Sequence, residues 1–221
     1  MAESILVARD LWKSYDGRTD VLQGVSLQVT AGEAALVWGE NGSGKTTLLS
    51  LLGGLDTPNR GRIAIAGREI AGLKESDLAR VRLLDVGFVF QTHHLIDDLT
   101  VQENVALPLR LARRPADARV SELLEAFGLT KLATRRPGEI SVGESQRVAV
   151  ARALANGPKV LLADEPTASL DSKGTGAVLE AFRLARASFG AAIVIAAHDA
   201  EVRSLAASEY VLTDGRLEPR K

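Results

Sequence analysis

Short apolar runs alternate along the chain with longer segments that have helical spacing. Five of these runs predict buried strands: Ile5–Val7, Ala34–Trp38, Gly87–Phe90, Val160–Ala163 and Ala191–Ala196. Runs that stay apolar at successive positions are typical of parallel strands covered by helices on both faces. The pattern therefore predicts an α/β fold with a mainly parallel sheet.

Four of the predicted strands end directly at glycine or polar residues, with Trp38 before Gly39, Phe90 before Gln91, Ala163 before Asp164 and Ala197 before His198. Because the carboxyl ends of parallel strands meet at one edge of an open sheet, we expect these four positions to converge on a single crevice. Ligands of α/β proteins bind in such crevices. This edge is therefore where the sequence predicts the functional site.

Two other parts of the chain have different patterns. Val25–Val29 and Arg62–Ala66 alternate apolar and polar residues, which predicts an antiparallel β flank. From about residue 92 to 156 the strand pattern fades, and Val120–Phe127 and Gln146–Leu154 have helical spacing. We therefore predict one domain, 1–221, in which residues 1–91 and 157–221 form the core with its β flank and about 92–156 form an inserted helical sub-domain.

Composition narrows the class of protein. A chain of 221 residues, 46% of them hydrophobic, can bury the core of one compact domain. With 27 basic and 28 acidic residues there is no overall positive charge to attract nucleic acid, so no nucleic-acid partner is expected. The chain has no cysteine, which excludes disulfides and thiolate chemistry and fits a reducing compartment.

Targeting signals point the same way. The segment Met1–Ile5 lacks the basic patch and apolar run of a secretion signal, which predicts a cytoplasmic protein. The longest apolar stretch, Ala191–Ala197, is far shorter than the roughly 20 residues of a membrane-spanning helix. Any role at a membrane is therefore expected to come through a partner.

A glycine-rich loop lies between the predicted strand Ala34–Trp38 and a helical segment. The loop comprises Gly39, Glu40, Asn41, Gly42, Ser43, Gly44, Lys45 and Thr46, and the helical segment begins at Thr47. Residues 39–46, here called the phosphate loop, fit the G-x-x-x-x-G-K-[ST] pattern in the strand-loop-helix setting that this pattern requires. Backbone N–H groups of such a loop surround a triphosphate, Lys45 reaches its β- and γ-phosphates, and the Thr46 hydroxyl is a ligand for Mg²⁺. The alternative, a glycine-rich turn that binds nothing, does not explain that setting.

Two adjacent carboxylates end the run Val160–Ala163. Neighbouring strand residues point to opposite faces, so Asp164 and Glu165 are expected to have different roles. Asp164 would hold Mg²⁺, and Glu165 would orient and polarise the water that attacks the γ-phosphate. The alternative is that Asp164 and Glu165 form an ordinary turn at the end of a strand. The presence of the phosphate loop in the same chain favours the catalytic interpretation.

With these two elements in place, the remaining polar positions follow the order of the ABC ATPase family, and the chain resembles that family over essentially its whole length. The positions are Tyr15, Gln91, the signature segment Ile140–Glu144, Ser169–Asp171 and His198. The resemblance implies that the chain binds and hydrolyses ATP with Mg²⁺ on a P-loop NTPase core.

The resemblance assigns roles to the aromatic and the amide. Tyr15 would stack on adenine, whereas core packing is the alternative for a lone tyrosine. Gln91 would sense Mg²⁺ and mark the entry to the helical sub-domain, whereas a plain strand cap is the alternative. In the same way Asp171 would couple two nucleotide sites, although it also fits a helix N-cap, and His198 would contact the γ-phosphate, although a lone histidine at a strand end is often structural.

The signature segment departs from the family's usual form. Val142 stands where a glycine is usual, and Ile140 where a leucine is usual. A helix start that presents Ser141, Val142, Gly143 and Glu144 to a phosphate remains sensible. The resemblance implies that this segment is completed across a dimer, with a second ATPase subunit joining on ATP binding as a homodimer. Val142 puts in doubt how closely backbone and phosphate approach, and hence the hydrolysis rate. We expect Val142 to have an extended backbone just before the helix, where a β-branched residue incurs little strain.

Residues 90–109 most resemble the branch of lipoprotein-release, macrolide-export and cell-division ABC ATPases. That branch implies an integral membrane permease subunit as partner, with the ATPase peripheral on the inner face of the cell membrane. The paired His93 and His94 could instead suggest a metal site, but no further Cys or His ligand lies nearby. A basic cluster is either a solvated face or a docking surface: Arg110, Arg113, Arg114 and Arg119.

Two other functions compete with an energy-coupling transporter subunit. A soluble ABC ATPase acting on DNA or ribosomes would usually have long coiled-coil insertions or two nucleotide-binding domains, and the sequence has neither. A scaffold that binds ATP and barely hydrolyses it is suggested only by Val142, and Glu165 and His198 argue against it.

Overall fold

The chain folds around a six-stranded sheet with five parallel strands. The computed structural model describes residues 4–168, 170–198 and 200–220. The strands are β1 Ser4–Ser14, β2 Asp20–Thr30, β3 Ala34–Trp38, β4 Arg60–Ile65, β5 Arg68–Glu69, β6 Val86–Val89, β7 Val160–Asp164, β8 Ala192–Ala197, β9 Ser208–Thr213 and β10 Arg216–Pro219. The helices are α1 Lys45–Leu52, α2 Glu75–Leu84, α3 Val101–Leu111, α4 Asp117–Ala126, α5 Val142–Ala153 and α6 Ser172–Phe189, and short 3₁₀ helices cover Thr130–Leu132, Pro137–Glu139 and Ala200–Leu205.

The larger sheet has the strand order β10-β9-β3-β8-β7-β6, with β10 as an antiparallel edge. Its central strands are buried along almost their whole length because both faces are covered. In β3, Ala34 and Leu36 belong to the hydrophobic core on the helical side, whereas Ala35 and Val37 belong to the core under the smaller sheet. Because successive side chains of a strand point to opposite faces, β3 contributes side chains to both hydrophobic cores.

The smaller sheet is antiparallel, with the order β2-β1-β4-β5. Buried and exposed positions alternate in β2, so one face packs inward and the other meets solvent. This sheet is the antiparallel flank that the alternation in Val25–Val29 and Arg62–Ala66 predicts. The predicted fold class is confirmed.

Between β6 and β7 the chain forms α3, α4 and α5 and no strand, over a stretch that the structure describes throughout. Both α3 and α5 start with a capping box, in which the side chains of Thr100 and Ser141 pair with Glu103 and Glu144. These boxes explain why helices start at these points. No helix within residues 4–168, 170–198 and 200–220 combines the length and apolar character that a bilayer crossing requires.

Of the four strands predicted to end at Gly39, Gln91, Asp164 and His198, two end one residue away from the predicted position, and β1 continues to Ser14, well beyond the predicted Val7. β6 ends at Val89, so Phe90 lies between the strand and Gln91, and β7 runs one residue further, to Asp164. Because β3, β8, β7 and β6 are neighbours and parallel, their carboxyl ends lie along one edge. The four predicted positions therefore occupy the same edge of the sheet.

Candidate functional site

The phosphate loop turns tightly between β3 and α1. Gly44 is the N-cap of α1 with φ +103°, a left-handed conformation that other residues adopt only with strain. A Cβ on Gly39 would lie 2.4 Å from Ser43 Oγ and 2.7 Å from the Leu212 carbonyl oxygen, so only glycine fits there. These glycines let the loop deliver the amino end of α1, with its free N–H groups, to the carboxyl edge of the sheet.

Lys45 is folded across this loop. Its Nζ donates to the carbonyl oxygens of Gly39 at 2.8 Å and Glu40 at 3.1 Å, and lies 3.3 Å from Glu165 Oε1. The residue is only 6% exposed. A buried ammonium at the amino end of a helix makes this point of the fold strongly attractive to an anion.

Thr46 and Asp164 meet directly. The Thr46 hydroxyl donates to Asp164 Oδ2 at 2.6 Å, whereas the buried Asp164 Oδ1 has no hydrogen-bond partner. Burial raises the pKa of the Asp164 carboxyl, and the neighbouring charge of Glu165 acts in the same direction while Thr46 and Lys45 oppose it. With Gln91 at the same cleft, the donors are a hydroxyl, a carboxylate and an amide, which are oxygen ligands of the kind Mg²⁺ prefers. The residues present fit that ion.

Glu165 is held between two cationic or basic side chains. Its Oε1 faces Lys45, and its Oε2 lies 2.8 Å from Nδ1 of His198, whose side chain is 58% exposed. The backbone of Glu165 has φ +47°, and its N–H donates to the Ala196 carbonyl oxygen at 2.8 Å. A left-handed non-glycine residue costs free energy, and this one occurs where the carboxylate must point out of the sheet edge.

These residues surround a cleft of about 260 Å³, here called the nucleotide cleft. Its lining comprises Val21, Asn41, Gly42, Gly44, Lys45, Thr46, Thr47, Gln91, Asp164 and Glu165. Gly39, Glu40 and Ser43 shape the loop from its other side, through the contacts with Lys45 and the buried Ser43 Oγ. Nine of the predicted positions thus line one cavity.

Tyr15 lies next to this cleft and is not a core residue. It is 65% exposed, and its hydroxyl lies 3.5 Å from Oγ1 of Thr47 in the first turn of α1. Core packing, the alternative for Tyr15, does not match this exposure. The ring offers a flat apolar surface beside the phosphate loop.

The signature residues lie elsewhere. Ser141, Val142, Gly143 and Glu144 line a second cleft of about 520 Å³, the signature cleft, which shares no residue with the nucleotide cleft among the residues described for each. Glu144 Oε2 accepts hydrogen bonds from the Ser141 N–H at 2.8 Å and its hydroxyl at 2.9 Å, and these bonds lower the pKa of Glu144. Val142 is the first residue of α5, 49% exposed, rather than an extended residue before the helix. Our assumption of an extended backbone at Val142 is therefore wrong.

Asp171 also lines the signature cleft. It is the N-cap of α6, and its Oδ1 accepts from the Gly174 N–H at 2.7 Å. The helix cap foreseen for this residue is therefore present, and the role in coupling two sites stays a prediction. Its neighbour Ser169 lies outside the described residues.

The structure brings in Arg152, which the sequence did not suggest. From the last turn of α5, its guanidinium donates to the carbonyl oxygens of His93 at 2.7 Å and His94 at 2.6 Å, both residues having left-handed φ angles of 57° and 47°. The helix that starts at the signature is thus tied to the segment that follows Gln91. An arginine in the last turn of a helix is usually solvated, so nothing in the local pattern indicates this contact.

Arg152 also borders a third cavity, the apolar groove, of about 250 Å³. Its apolar lining includes Phe88, Phe90, Leu107 and Leu111, and Leu111 is 64% exposed. As for the paired histidines, the described part of the chain contains no group of three or more His, Cys, Asp or Glu residues that could hold a metal.

Two more residues next to Tyr15 were not foreseen. Lys13 is 8% exposed, its Nζ donates to Asp56 Oδ1 at 2.7 Å, and the same atom lies 4.8 Å from the centroid of the Tyr15 ring. Lys13 lies two residues before Tyr15, close to the end of β1 at Ser14, and this short spacing is the only sequence signal that could have indicated the contact.

Comparison with known proteins gives concordant results. A family model described as ABC transporter matches residues 22–168. The chain is 44% identical over 224 residues to the lipoprotein-releasing system ATP-binding protein LolD 2 of Caulobacter vibrioides, covering 99% of this chain and 98% of that protein. It is 42% identical over 220 residues to the lipoprotein-releasing system ATP-binding protein LolD of Geobacter metallireducens, covering 97% of this chain and 98% of that protein.

Among solved structures, the chain is similar to the dimeric post-hydrolysis state of the ATP-binding cassette MJ0796 bound to ADP and Pi. The TM-score is 0.88 at 34% sequence identity, and the match covers 98% of both chains. The similarity thus extends over the phosphate loop, the carboxyl edge of the sheet and the helical part together.

Proposed function

This chain belongs to the ABC transporter family, and from that premise we propose how its own residues carry out the work of an ATP-hydrolysing, energy-coupling subunit. The N–H groups of the phosphate loop and the ammonium of Lys45 bind the β- and γ-phosphates, and the exposed ring of Tyr15 stacks on adenine. Thr46, Asp164 and Gln91 would hold Mg²⁺, and the ion would neutralise phosphate charge. The backbone around Glu40–Thr47 shapes the rest of the pocket.

We assign the hydrolytic step to Glu165 and His198. The Glu165 carboxylate orients a water molecule and accepts a proton from it as the water oxygen attacks the γ-phosphorus. The bond from that phosphorus to the β,γ-bridging oxygen breaks, and ADP leaves with the bonding electron pair. His198, 2.8 Å from Glu165 and well exposed, fixes the carboxylate and can reach the γ-phosphate. Lys45 stabilises the charge that develops on the leaving oxygen.

The observation that carries a dimeric mechanism is the separation of the two clefts. The signature residues Ser141, Val142, Gly143 and Glu144 share no lining residue with the nucleotide cleft of their own chain. We therefore propose that a second copy supplies them, so that two subunits close around two ATP molecules as a homodimer. Asp171, on the rim of the signature cleft, couples the two sites.

Light scattering with and without ATP tests this mechanism. Glu165→Gln keeps the shape of the side chain but removes charge beside the γ-phosphate, so this variant should dimerise with ATP and hydrolyse it slowly. Adding Ser141→Asp should abolish the dimer, because a carboxylate then faces the partner's γ-phosphate while aspartate still caps α5. Thr100→Asp, at the equivalent cap of α3, is the matched control and should leave the dimer intact.

An ATP-dependent dimer of the Glu165→Gln, Ser141→Asp double variant would show that the signature segment does not meet the nucleotide. Monomers of Glu165→Gln at saturating ATP would contradict the sandwich as a whole. The affinity of the monomer for ATP, measured separately, should be the same for Glu165→Gln with and without Ser141→Asp, because the phosphate loop is intact in both variants.

We further propose that the partner is an integral membrane permease subunit, that this chain lies at the inner face of the cell membrane through it, and that the transported molecule is a lipoprotein or another hydrophobic compound. The support is the likeness to two lipoprotein-releasing ATP-binding proteins.

We also propose that the domain divides into a core of residues 1–91 and 157–221 and a helical sub-domain of about 92–156. The apolar groove borders both parts and is our candidate for the docking surface.

A mechanical route connects this groove with ATP. Arg152 lines the groove and holds the carbonyl oxygens that follow Gln91, and Gln91 lines the nucleotide cleft. A partner that binds in the groove would therefore displace Gln91 and alter the proposed Mg²⁺ site.

Purification from gently solubilised membranes should recover one integral protein with the wild type and not with Leu111→Glu. Leu55→Glu, which changes an equally apolar exposed residue elsewhere, is the control. Recovery of ribosomal or DNA-bound proteins would contradict the transporter role.

A further inference from the structure

Lys13 and Asp56 form a bridge beneath Tyr15. The Lys13 ammonium donates to Asp56 Oδ1 at 2.7 Å and to the Thr57 carbonyl oxygen at 2.9 Å, and lies 4.8 Å from the centroid of the Tyr15 ring. We propose that Lys13 and Asp56 are positioning residues for Tyr15, which orient its ring for adenine through a cation–π contact on one face. This inference rests on the proposed stacking of Tyr15 on adenine.

Burial makes this contact stronger than an ordinary surface pair. Lys13 is 8% exposed, and a desolvated ammonium over an aromatic ring is held more tightly than a hydrated one. Burial raises the pKa of Asp56, but hydrogen bonds from Lys13 and the Thr57 N–H, with the charge of Lys13 and the Tyr15 hydroxyl, outweigh it and leave the pKa below its usual value. The carboxylate therefore stays charged and keeps the ammonium in place.

The bridge also fixes the ring relative to the phosphate loop. Asp56 follows α1, and its N–H donates to the Ser50 carbonyl oxygen at 3.2 Å, so the loop folds back on the helix that starts at Lys45. At the other side, the Tyr15 hydroxyl lies 3.5 Å from Thr47 Oγ1 in the first turn of the same helix. Tyr15 is thus attached to both ends of α1, the helix whose amino end receives the phosphates.

Further contacts hold the strand and the loop together independently of charge. The Asn59 N–H donates to the Trp12 carbonyl oxygen at 2.9 Å, and Asn59 Oδ1 accepts from the Ser14 N–H at 2.7 Å. Loss of the Lys13 charge should therefore leave this corner folded. The ammonium lies over one face of the ring, and because Tyr15 remains 65% exposed, most of its side chain stays open to a base.

The test separates the base from the phosphates by using ADP and inorganic pyrophosphate as probes, with calorimetric titration of the full chain. Lys13→Met should weaken ADP binding about threefold to tenfold, as expected for loss of a partly desolvated cation–π contact and its ordering of the ring. Pyrophosphate binding should change by less than about twofold, because Lys13 donates its hydrogen bonds to Asp56 and Thr57 rather than to the phosphate loop. In a Tyr15→Ala background, Lys13→Met should have no further effect on ADP.

Three companion variants keep the outcome decisive. Lys13→Gln retains N–H donors for Asp56 and Thr57 without the charge, and should show the same loss of ADP affinity, about threefold to tenfold. This variant decides the outcome if Lys13→Met folds poorly. Lys13→Arg restores a cation over the ring and should restore ADP affinity. Lys74→Met removes an exposed lysine at the start of α2 and should behave as wild type.

The failures are distinguishable. Wild-type ADP affinity in Lys13→Gln, with a loss in Tyr15→Ala, would overturn the positioning role and leave the adenine platform standing. Equal losses for ADP and pyrophosphate would reveal a general structural role and overturn the inference as well. Wild-type ADP affinity in Tyr15→Ala would overturn the adenine platform itself, and the positioning role with it.

Discussion

The Thr46 hydroxyl donates a 2.6 Å hydrogen bond to Oδ2 of Asp164, a residue 118 positions further along the chain. Thr46 lies in the first turn of α1 at the phosphate loop, and Asp164 ends β7. Each was predicted as a Mg²⁺ ligand for a separate reason, and the fold places them in direct contact. Several expected outcomes depend on the environment that this contact creates.

Asp164→Asn should reduce Mg²⁺-dependent ATP hydrolysis by roughly a hundredfold or more, because an amide cannot supply the charge of a carboxylate ligand. Steady-state phosphate release with Mg²⁺ measures this. Asp97→Asn, an exposed carboxylate in the turn before α3, is the control and should keep wild-type turnover. Wild-type activity in Asp164→Asn would remove Asp164 from the metal site.

The same variant should be more stable than the wild type without nucleotide at neutral pH. Because burial raises the native pKa of Asp164 above its ordinary 3.8, the native state binds a proton more tightly than the unfolded state between those two values. Stability therefore falls as pH rises through that window, and the ionised carboxylate costs stability above it. Thermal unfolding should show a higher Tm for Asp164→Asn at pH 8, with a difference that shrinks as pH falls towards 4. A difference that grows on acidification would contradict the raised pKa.

Lys45→Ala should weaken ATP binding by roughly a hundredfold, since no other side-chain cation of the nucleotide cleft neutralises the phosphates among the residues described there. It also leaves the buried Glu165 carboxylate without its ammonium, so Tm should fall. Lys131→Ala, on an exposed 3₁₀ turn, is the matched control for loss of a lysine. Equilibrium binding of ATP by Lys45→Ala at near wild-type strength would mean that the phosphate loop is misassigned.

Val142→Gly should change turnover only slightly, by less than about threefold, because a valine in the first turn of a helix is unstrained and its side chain is exposed. The natural chain should therefore be an active ATPase. The kcat of both forms with saturating Mg²⁺ and ATP decides this. A large gain for the glycine variant over a wild type near background would support the weakly hydrolysing scaffold.

Glu144→Gln should lower stability at neutral pH. In the Glu165→Gln background it should also prevent ATP-driven dimerisation, because Glu144 lines the signature cleft. Hydrogen bonds from the Ser141 N–H and hydroxyl depress the pKa of Glu144, so its stabilising contribution is complete above the ordinary value of 4.5 and is lost as pH falls through the native pKa. The Tm difference from wild type should therefore vanish in acid. Glu103→Gln removes the corresponding capping box of α3, where hydrogen bonds from Thr100 also depress the pKa of the carboxyl.

Glu103→Gln is the matched control because it should reproduce the pH-dependent loss of stability and leave ATP-driven dimers intact. Equal loss of dimers in both variants would mean that Glu144 acts only as a helix cap. A Tm difference for Glu144→Gln that stays constant or grows as pH falls from 4.5 into strong acid would contradict its depressed pKa.

Much of this molecule could be predicted from local pattern. Continuous apolar runs predicted the parallel strands because a strand covered on both faces has no polar side to show, and the spacing of Gly39, Gly44 and Lys45 predicted a phosphate loop because few other residues allow its backbone. Strand boundaries were less certain, as at Phe90 and Asp164, because one apolar residue more or less hardly changes the pattern. The backbone at Val142 was misjudged because the capping box at Ser141 starts α5 at Val142, four residues before the segment Gln146–Leu154 whose apolar spacing indicated this helix.

The sequence by itself therefore determined the fold class and predicted which residues gather at the carboxyl edge of the sheet, since both depend on residue types at fixed short spacings. Only the tertiary structure decided which distant groups meet: Arg152 with the carbonyl oxygens of His93 and His94, and Lys13 with Asp56 beneath Tyr15. Such contacts join surface-type residues separated by tens of positions, and a charged side chain has the same local pattern whether it faces water or a partner. Their energies depend on burial, and burial is a property of the assembled fold.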